Sequence, residues 1–486
     1  MTDLGIAAHA RFRGDKVAIV DGERRVTYAE LHAGACRAAN ALLKLGVGAE
    51  DRIAIALHNS PEFFEASAGA AMLGVEVVPV SWRASEDEVR YMVEDSGAKV
   101  LVSEARRGVP VLRPQEWADV PDTPPEGALD PAPTFYRAYT SGTTGRPKAI
   151  ERPRSTVDRY LEAMLGYPLL QGLTSPDEVH LVCGPVYHTA PRAFSSYALL
   201  LGQTLVLVRY FDAEDCLRLI ERERVTWTHM VPINFVRILA LGDAARFDLS
   251  SMKRVLHAAA PCPVDVKRRI IELFPPDTVW EYYGMTEGLA TMISPGEWLQ
   301  KPGSVGRAAP SLDVHILDED GRELPPGEVG LIYVTPMGGT KFAYAGAPEK
   351  SREIWRGDLY TVGDMGYLDD DGYLFLTDRK QDLIISGGAN IYPAEVEAVL
   401  YAHPAVGDCA VIGVPDPEWG ERVKAIVEPR AEVTAADLID FCRANLSHDK
   451  CPREIEFVEE LPRDPNGKVR KRELRDRSWA DAGRKI

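Results

Sequence analysis

The 486 residues predict an α/β chain: one large domain followed by a smaller α+β domain. Three observations carry that expectation. Strand and helix signals alternate through the first hundred residues and again over 185–279. Asp-Gly turns cut 311–376 into short strands, and a fresh α+β pattern begins after Asp378.

The elements follow in order. Thr27 and Glu30 have capping-box spacing, so a helix starts behind them, with Leu31, Ala35, Ala38 and Leu42 on one face. Gly46 supplies a left-handed stop. A short buried strand is expected over 52–57. Ser60-Pro61 opens the next helix, where the missing proline N–H costs nothing, and Gly74 ends it. Strands over 75–80 and 99–103 flank a helix opened by Ser85 and Glu88. This βαβα order implies a parallel sheet with helices on its faces. The Pro- and acid-rich stretch 110–133 is expected as a surface loop. Strands over 204–208 and 225–230 resume the alternation. Asp320-Gly321 and Asp371-Gly372 then mark antiparallel turns between strands at 314–317, 329–334 and 373–376. Past a boundary near 378–383 come a helix (394–401), a strand (408–413) and a helix (435–446).

Composition narrows the function classes. Lys plus Arg is 56 against 73 Asp plus Glu, a formal charge of −17, which argues against a nucleic-acid partner needing a basic face. No apolar run reaches the 18 or more residues of a membrane span. Seven scattered cysteines form no Cys-x-x-Cys pair, so neither a zinc site nor a disulfide framework is expected. With no secretory or transit signature at the N-terminus, a cytoplasmic chain is predicted.

The run Tyr139-Thr-Ser-Gly-Thr-Thr-Gly-Arg-Pro-Lys148 sets two glycines among hydroxyls and closes on a lysine. Such a backbone can wrap a phosphate chain with N–H and O–H donors; taken alone, it also suits a flexible polar turn. It is not a Walker A loop, because Pro147 and Ala149 stand where that pattern needs Gly and a hydroxyl. The run resembles the phosphate loop of the adenylate-forming superfamily of acyl- and aryl-CoA synthetases, luciferases and peptide-synthetase adenylation domains. Further segments resemble that family in the same order: His257-Ala-Ala-Ala-Pro261, Trp280-Glu-Tyr-Tyr-Gly-Met-Thr-Glu287, Tyr360-Thr-Val-Gly-Asp364, Asp378-Arg379, Ser386-Gly-Gly-Ala-Asn-Ile-Tyr-Pro-Ala-Glu-Val-Glu397 and Pro462-Arg-Asp-Pro-Asn-Gly-Lys468.

The resemblance implies a large N-terminal domain of two helix-covered sheets plus a distorted β-barrel (1–378), a hinge (379–382) and a small mobile α+β lid (383–486). It implies that Thr140, Ser141, Gly142, Thr143, Thr144, Gly145 and Lys148 hold phosphates. Ala259, Ala260 and Pro261 would flank adenine, Tyr283 stack on it, and Asp364 and Arg379 hold the ribose. Thr286 would touch the α-phosphate, Glu287 help hold Mg²⁺, and Lys468 enter as the catalytic lysine. Gly388 would let the pantetheine arm of coenzyme A pass. Gln381 stands where the family has an Asp or Lys pivot. Apart from the resemblance, Asp364 also suits an Asx turn, Arg379 a surface ion pair and His188 a satisfied core position.

The implied activity is an ATP-dependent carboxylic acid–CoA ligase, with transfer to a carrier protein as the alternative. Pro185-Val-Tyr-His-Thr-Ala-Pro-Arg192 resembles the family segment between acyl pocket and thiol tunnel, which makes His188 a gate. His188, Arg192, Ile233, Phe235 and Gly284 are expected around the acid. Ile233, Phe235 and Val236 favour a mainly apolar acid larger than acetate, whereas an inward Arg192 would suit a second carboxylate. Residues 231–239 hold no aspartate to receive an amino acid's ammonium.

Overall fold

The computed structural model describes residues 4–105, 110–130, 132–140, 147–153, 156–379, 382–386, 389–463 and 468–480. Its contacts divide the chain into two units. The first is Met1–Met230, Ala240–Leu256 and Gly338–Glu353; the second is Val231–Leu239, His257–Met337 and Ile354–Ile486.

Two parallel sheets organise the first unit. One has the order Glu76–Pro79, Arg52–Ala56, Val100–Ser103, Val111–Leu112, with Ile53 opposite both Val77 and Val100. Its strands are buried on both faces, so they read as unbroken apolar runs rather than alternating ones. Helices Pro61–Met72 and Glu86–Ser96 connect these strands, and Tyr28–Lys44 leads into the first of them from Arg24–Thr27. Capping boxes at Thr27/Glu30 and Ser85/Glu88 close as expected, and Gly46 is left-handed at φ 73°. The second sheet runs Trp227–Met230, Val179–Val182, Thr204–Leu207, Val17–Asp21 in parallel, with Arg24–Thr27 added antiparallel. Helices Thr189–Leu200 and Ala213–Glu223 are its crossovers. A third, small antiparallel sheet joins Tyr139–Thr140, Lys148–Glu151 and Ala343–Tyr344.

The stretch expected as a plain surface loop, 110–133, differs. It contributes the strand Val111–Leu112 and a 3₁₀ turn, Pro114–Trp117, that buries Trp117. The indole N–H donates to buried Glu65 at 3.1 Å, so a lone aromatic anchors an otherwise polar segment.

The second unit carries two antiparallel assemblies. One sheet has the order Trp355–Arg356, Leu359–Tyr360, Gly330–Val334, Asp364–Leu368, Leu374–Arg379, with Val314–Leu317 also on Gly330–Val334. The other is built on a long hairpin, Val406–Asp416 with Gly420–Pro429, joined by Ile384–Ser386, Ala389–Ile391 and a parallel Glu454–Phe457. Alternation along that hairpin fills two cores. Val411, Val423 and Val427 pack with Val396, Leu400 and Leu438, while Ile412, Val414 and Ile426 pack with Leu461 and Leu474. Among the described residues no helix is long and apolar enough to cross a membrane.

Candidate active site

In the second unit, strand Val279–Met285 pairs with Gly288–Ile293, leaving Thr286 and Glu287 at the hairpin tip. A bulge between Tyr283 and Gly284 re-aims the strand just before that tip. A side chain at Gly284 would be crowded: a Cβ would stand 3.0 Å from the Gly288 carbonyl oxygen and 3.3 Å from Leu289 Cα. Tyr283 is buried, and its hydroxyl donates to Asp364 Oδ2 at 2.6 Å. Asp364 opens its strand directly opposite Arg379, of which the backbone alone is described. The aromatic residue and both ribose candidates therefore meet along one pair of strands and one hydrogen bond.

The segment after strand Arg254–His257 holds Ala259 at φ 77°, a left-handed backbone that costs a non-glycine residue roughly 1 to 3 kcal/mol. Ala259 and Ala260 precede Pro261 here, at the place expected to flank adenine. Beneath them His257 is fully buried, set edge-to-face on Phe235 at 5.1 Å and 3.8 Å from Glu281 Oε2. Glu281 forms a buried ion pair with Lys267, whose ammonium also lies 4.7 Å over the Trp298 ring. Burial pushes the Lys267 ammonium down and the Glu281 carboxyl up, and their mutual attraction opposes both shifts. Motif spacing did not point to this pair. Lys267 occupies the helix stripe otherwise formed by Ile270 and Phe274, and that interruption was the available signal. Phe235 is buried and Ile233 half-buried on helix Pro232–Ala240.

Lys468 stands beside a bridge between Arg463 and Val469, reinforced by Arg470 N–H donating to the Pro462 carbonyl at 2.8 Å. Arg463 forms an ion pair with buried Asp408.

In the first unit, Thr140 pairs with Lys148 across the small sheet, so the residues that bracket the glycine-rich run lie on neighbouring strands. Ser141, Gly142, Thr143, Thr144 and Gly145 lie outside the described residues, as do Gln381 and Gly388; for Thr140 only the backbone is described. Both ends of the run are tied to helix Glu86–Ser96. Tyr139 donates to Asp95 Oδ2 at 2.7 Å, and Tyr91 donates to the Pro147 carbonyl at 2.9 Å. The motif gave no hint of these anchors, since their partners lie far off in sequence.

His188 is the N-cap of helix Thr189–Leu200, its ring 4.4 Å from that of Tyr187. Burial, with Arg192 adding to it, pulls its pKa down to about 3. A neutral imidazole fits a gate and not a base working near pH 7. Arg192, one turn on, is 4% exposed and lies 4.1 Å over the Tyr136 ring. No group of three or more potential metal ligands exists among the described residues.

The AMP-binding enzyme model matches residues 6–341, and the AMP-binding enzyme C-terminal domain model matches 395–468. A feruloyl-CoA synthase from an Amycolatopsis species is 35% identical over 483 residues, 96% of this chain and 97% of that one. A fatty acid–[acyl-carrier-protein] ligase of Streptomyces coeruleorubidus is 31% identical over 513 residues, covering 98% and 96%. The o-succinylbenzoate CoA synthetase of Bacillus subtilis superposes with a TM-score of 0.85 at 30% identity. It does so in complex with its acyl-adenylate intermediate (96% and 97% covered) and with ATP and magnesium ion (98% and 98%). Matched at both ends by these models, and over nearly its whole length by these relatives, the chain belongs to the AMP-binding enzyme family.

Proposed function

We propose that this chain is an AMP-forming acid–CoA ligase that activates a mainly apolar organic acid, aryl or long-chain, larger than acetate. The observation that supports it is the Tyr283–Asp364 hydrogen bond, which sets an aromatic ring beside a carboxylate that would suit ribose hydroxyls. The names of relatives support the thiol acceptor: a feruloyl-CoA synthase and an o-succinylbenzoate CoA synthetase are ligases to coenzyme A.

A carboxylate is a poor acyl donor because oxide is a poor leaving group. In the first half-reaction a carboxylate oxygen attacks the α-phosphorus of ATP, and the bond to the bridging oxygen of the β-phosphate breaks. Acyl-AMP forms and pyrophosphate leaves. Charge gathers on the α-phosphate, so cations and donors aimed there lower the barrier. Lys148 and the run 140–145 would hold the phosphates, Thr286 the α-phosphate, and Lys468 would offset charge in the transition state. Glu287 is a hard oxygen ligand suited to Mg²⁺, which when bound neutralises phosphate charge. In the second half-reaction the thiol sulfur of coenzyme A attacks the acyl carbonyl, the thiol proton is lost, and AMP departs. His188, neutral, would act as a gate to the acid, and Ile233, Phe235 and Gly284 would line the acyl pocket. Residues 379–382, with Gln381 as pivot, would turn the lid 383–486 against 1–378 between the two steps, and Gly388 would line the pantetheine path.

A second acceptor has support from a relative named as a ligase to acyl-carrier protein. Acid-dependent ATP–pyrophosphate exchange over a panel of carboxylic acids tests adenylation. Mass detection of product then separates CoA thioester from thioester on a holo carrier protein; product on the carrier alone would favour the second acceptor.

A further inference from the structure

Helix Glu86–Ser96 is fixed at both ends by local devices. The Ser85/Glu88 capping box stands in front of it, and Gly97, left-handed at φ 67°, stands behind. Val89 and Val93 place one stripe of the helix in a buried cluster with Ala54, Val78 and Leu101 of the parallel sheet. Tyr91 and Asp95, four residues apart, share another stripe, with the Tyr91 hydroxyl 3.5 Å from Asp95 Oδ1.

That second stripe grips the backbone on both sides of Lys148. Tyr91 donates to the Pro147 carbonyl at 2.9 Å, which belongs to the peptide unit just before the lysine. Asp95 accepts from Tyr139 at 2.7 Å. Tyr139 and Thr140 are the residues that face Ala149 and Lys148 across the small sheet, so both strands of one register hang from one helix. The Tyr139 ring also packs against the buried cluster that holds Val89 and Val93. Beyond the lysine, Ala149 and Ile150 are buried, and the Ile150 N–H donates to the Ala138 carbonyl at 2.9 Å. A lysine ammonium is a point charge on a flexible stem, so the fold sets chiefly the place where that stem begins.

We infer that Tyr91 and Asp95 are positioning residues for Lys148, fixing the point from which its ammonium reaches the phosphate chain of ATP. This deepens the ligase reading above and rests on it for the role of Lys148. Both residues act through the lysine and not on the nucleotide. Because AMP lacks the β- and γ-phosphates, comparing ATP with AMP separates the hold on the phosphate chain from the hold on adenine and ribose.

The test uses the full chain with magnesium and measures Kd for ATP and for AMP by calorimetry. Tyr91→Phe deletes one donor, and Asp95→Ala deletes one acceptor. Each should weaken ATP about five- to tenfold while AMP stays within about twofold. Asp95→Asn keeps an oxygen for Tyr139 and should recover part of the loss. A Lys148→Ala background gives the reading that a merely structural role would not move. There Tyr91→Phe should change the ATP Kd by less than about twofold, since the group it acts through is gone. An unchanged ATP Kd in both Tyr91→Phe and Asp95→Ala would overturn the proposal. So would equal weakening of ATP and AMP, or a Tyr91→Phe effect undiminished by Lys148→Ala. Should Asp95→Ala not fold, Tyr139→Phe, which deletes the same hydrogen bond, decides in its stead. Failure of the wild-type chain to bind ATP would overturn the ligase reading and the proposal together, whereas wild-type binding matched by the variants overturns the proposal alone.

Discussion

The Tyr283 hydroxyl donates a 2.6 Å hydrogen bond to Asp364 Oδ2 across 81 residues of sequence. One residue stands at a bulge within its strand, and the other opens a strand opposite Arg379. The ring proposed to face the purine and the carboxylate proposed to accept from the ribose hydroxyls are thereby fixed relative to one another. Such preorganisation removes ordering cost from binding.

Tyr283→Phe keeps the ring and deletes this bond. A hydrogen bond to a charged acceptor is worth roughly 1.5 to 3 kcal/mol, and part of that should appear in nucleotide affinity. We expect the Kd for ATP to rise about tenfold, with Asp364→Asn additive to it by less than the sum of the two single effects. Full additivity in a double-mutant cycle would show that the bond does not organise the site.

Under the Ala258–Pro261 segment, Glu281 is shared by Lys267 and, at 3.8 Å, His257. Removing one partner of a buried pair strands the other charge. Lys267→Met should cost about 3 to 5 kcal/mol of stability, whereas the double change Lys267→Met with Glu281→Leu should recover most of it. Urea midpoints of the three proteins measure this. A single substitution costing under about 1 kcal/mol would show that the pair is not the support described.

Local devices were legible where sequence neighbours satisfy one another. Thr27 with Glu30 and Ser85 with Glu88 are complete within four residues, and they form as expected. The order Tyr283, Thr286, Glu287 was legible because one hairpin presents all three. Lys267 was not. Its helix offers several charged residues, and only tertiary packing decides which of them turns inward onto Glu281. Trp117 escaped for the opposite reason: one aromatic in a Pro-rich stretch has no periodicity, yet Glu65 gives it a buried partner. Tyr139 stands out in sequence only as the start of its loop, while its anchor on Asp95 depends on a helix residue 44 positions away.

Acid should unfold this chain early. His180, His188 and His229 are buried, and burial lowers their pKa values to about 3, 3 and 4. The folded state keeps them neutral while the unfolded state protonates them below about 6.5. Stability is therefore unaffected above that pH and falls below it, by about 1.4 kcal/mol per histidine per pH unit, until each folded pKa is reached. The urea midpoint should drop between pH 7 and 5.5, and His229→Gln should flatten the drop by about a third. A midpoint constant over this range would contradict the burial of the three rings.

Lys468 is the residue on which the two half-reactions should part. It lies next to a bridge, Arg463 to Val469, that a buried ion pair with Asp408 and the Arg470–Pro462 hydrogen bond hold in place. A lysine on such a mount delivers its charge at a defined point, and removing one preorganised donor from a phosphoryl-type transition state typically costs about 10² to 10³ in rate. We expect Lys468→Ala to lower acid-dependent ATP–pyrophosphate exchange by about that factor. Thioester formation from supplied acyl-AMP should stay within about threefold of wild type, since no charge then builds on a transferring phosphate. Arg463→Met loosens the mount without removing the amine, so it should lower exchange by a smaller factor and again spare the thiol step. Equal loss of both half-reactions in Lys468→Ala would mean that the amine acts after adenylation as well, and the division of labour proposed for the lid would fall with it.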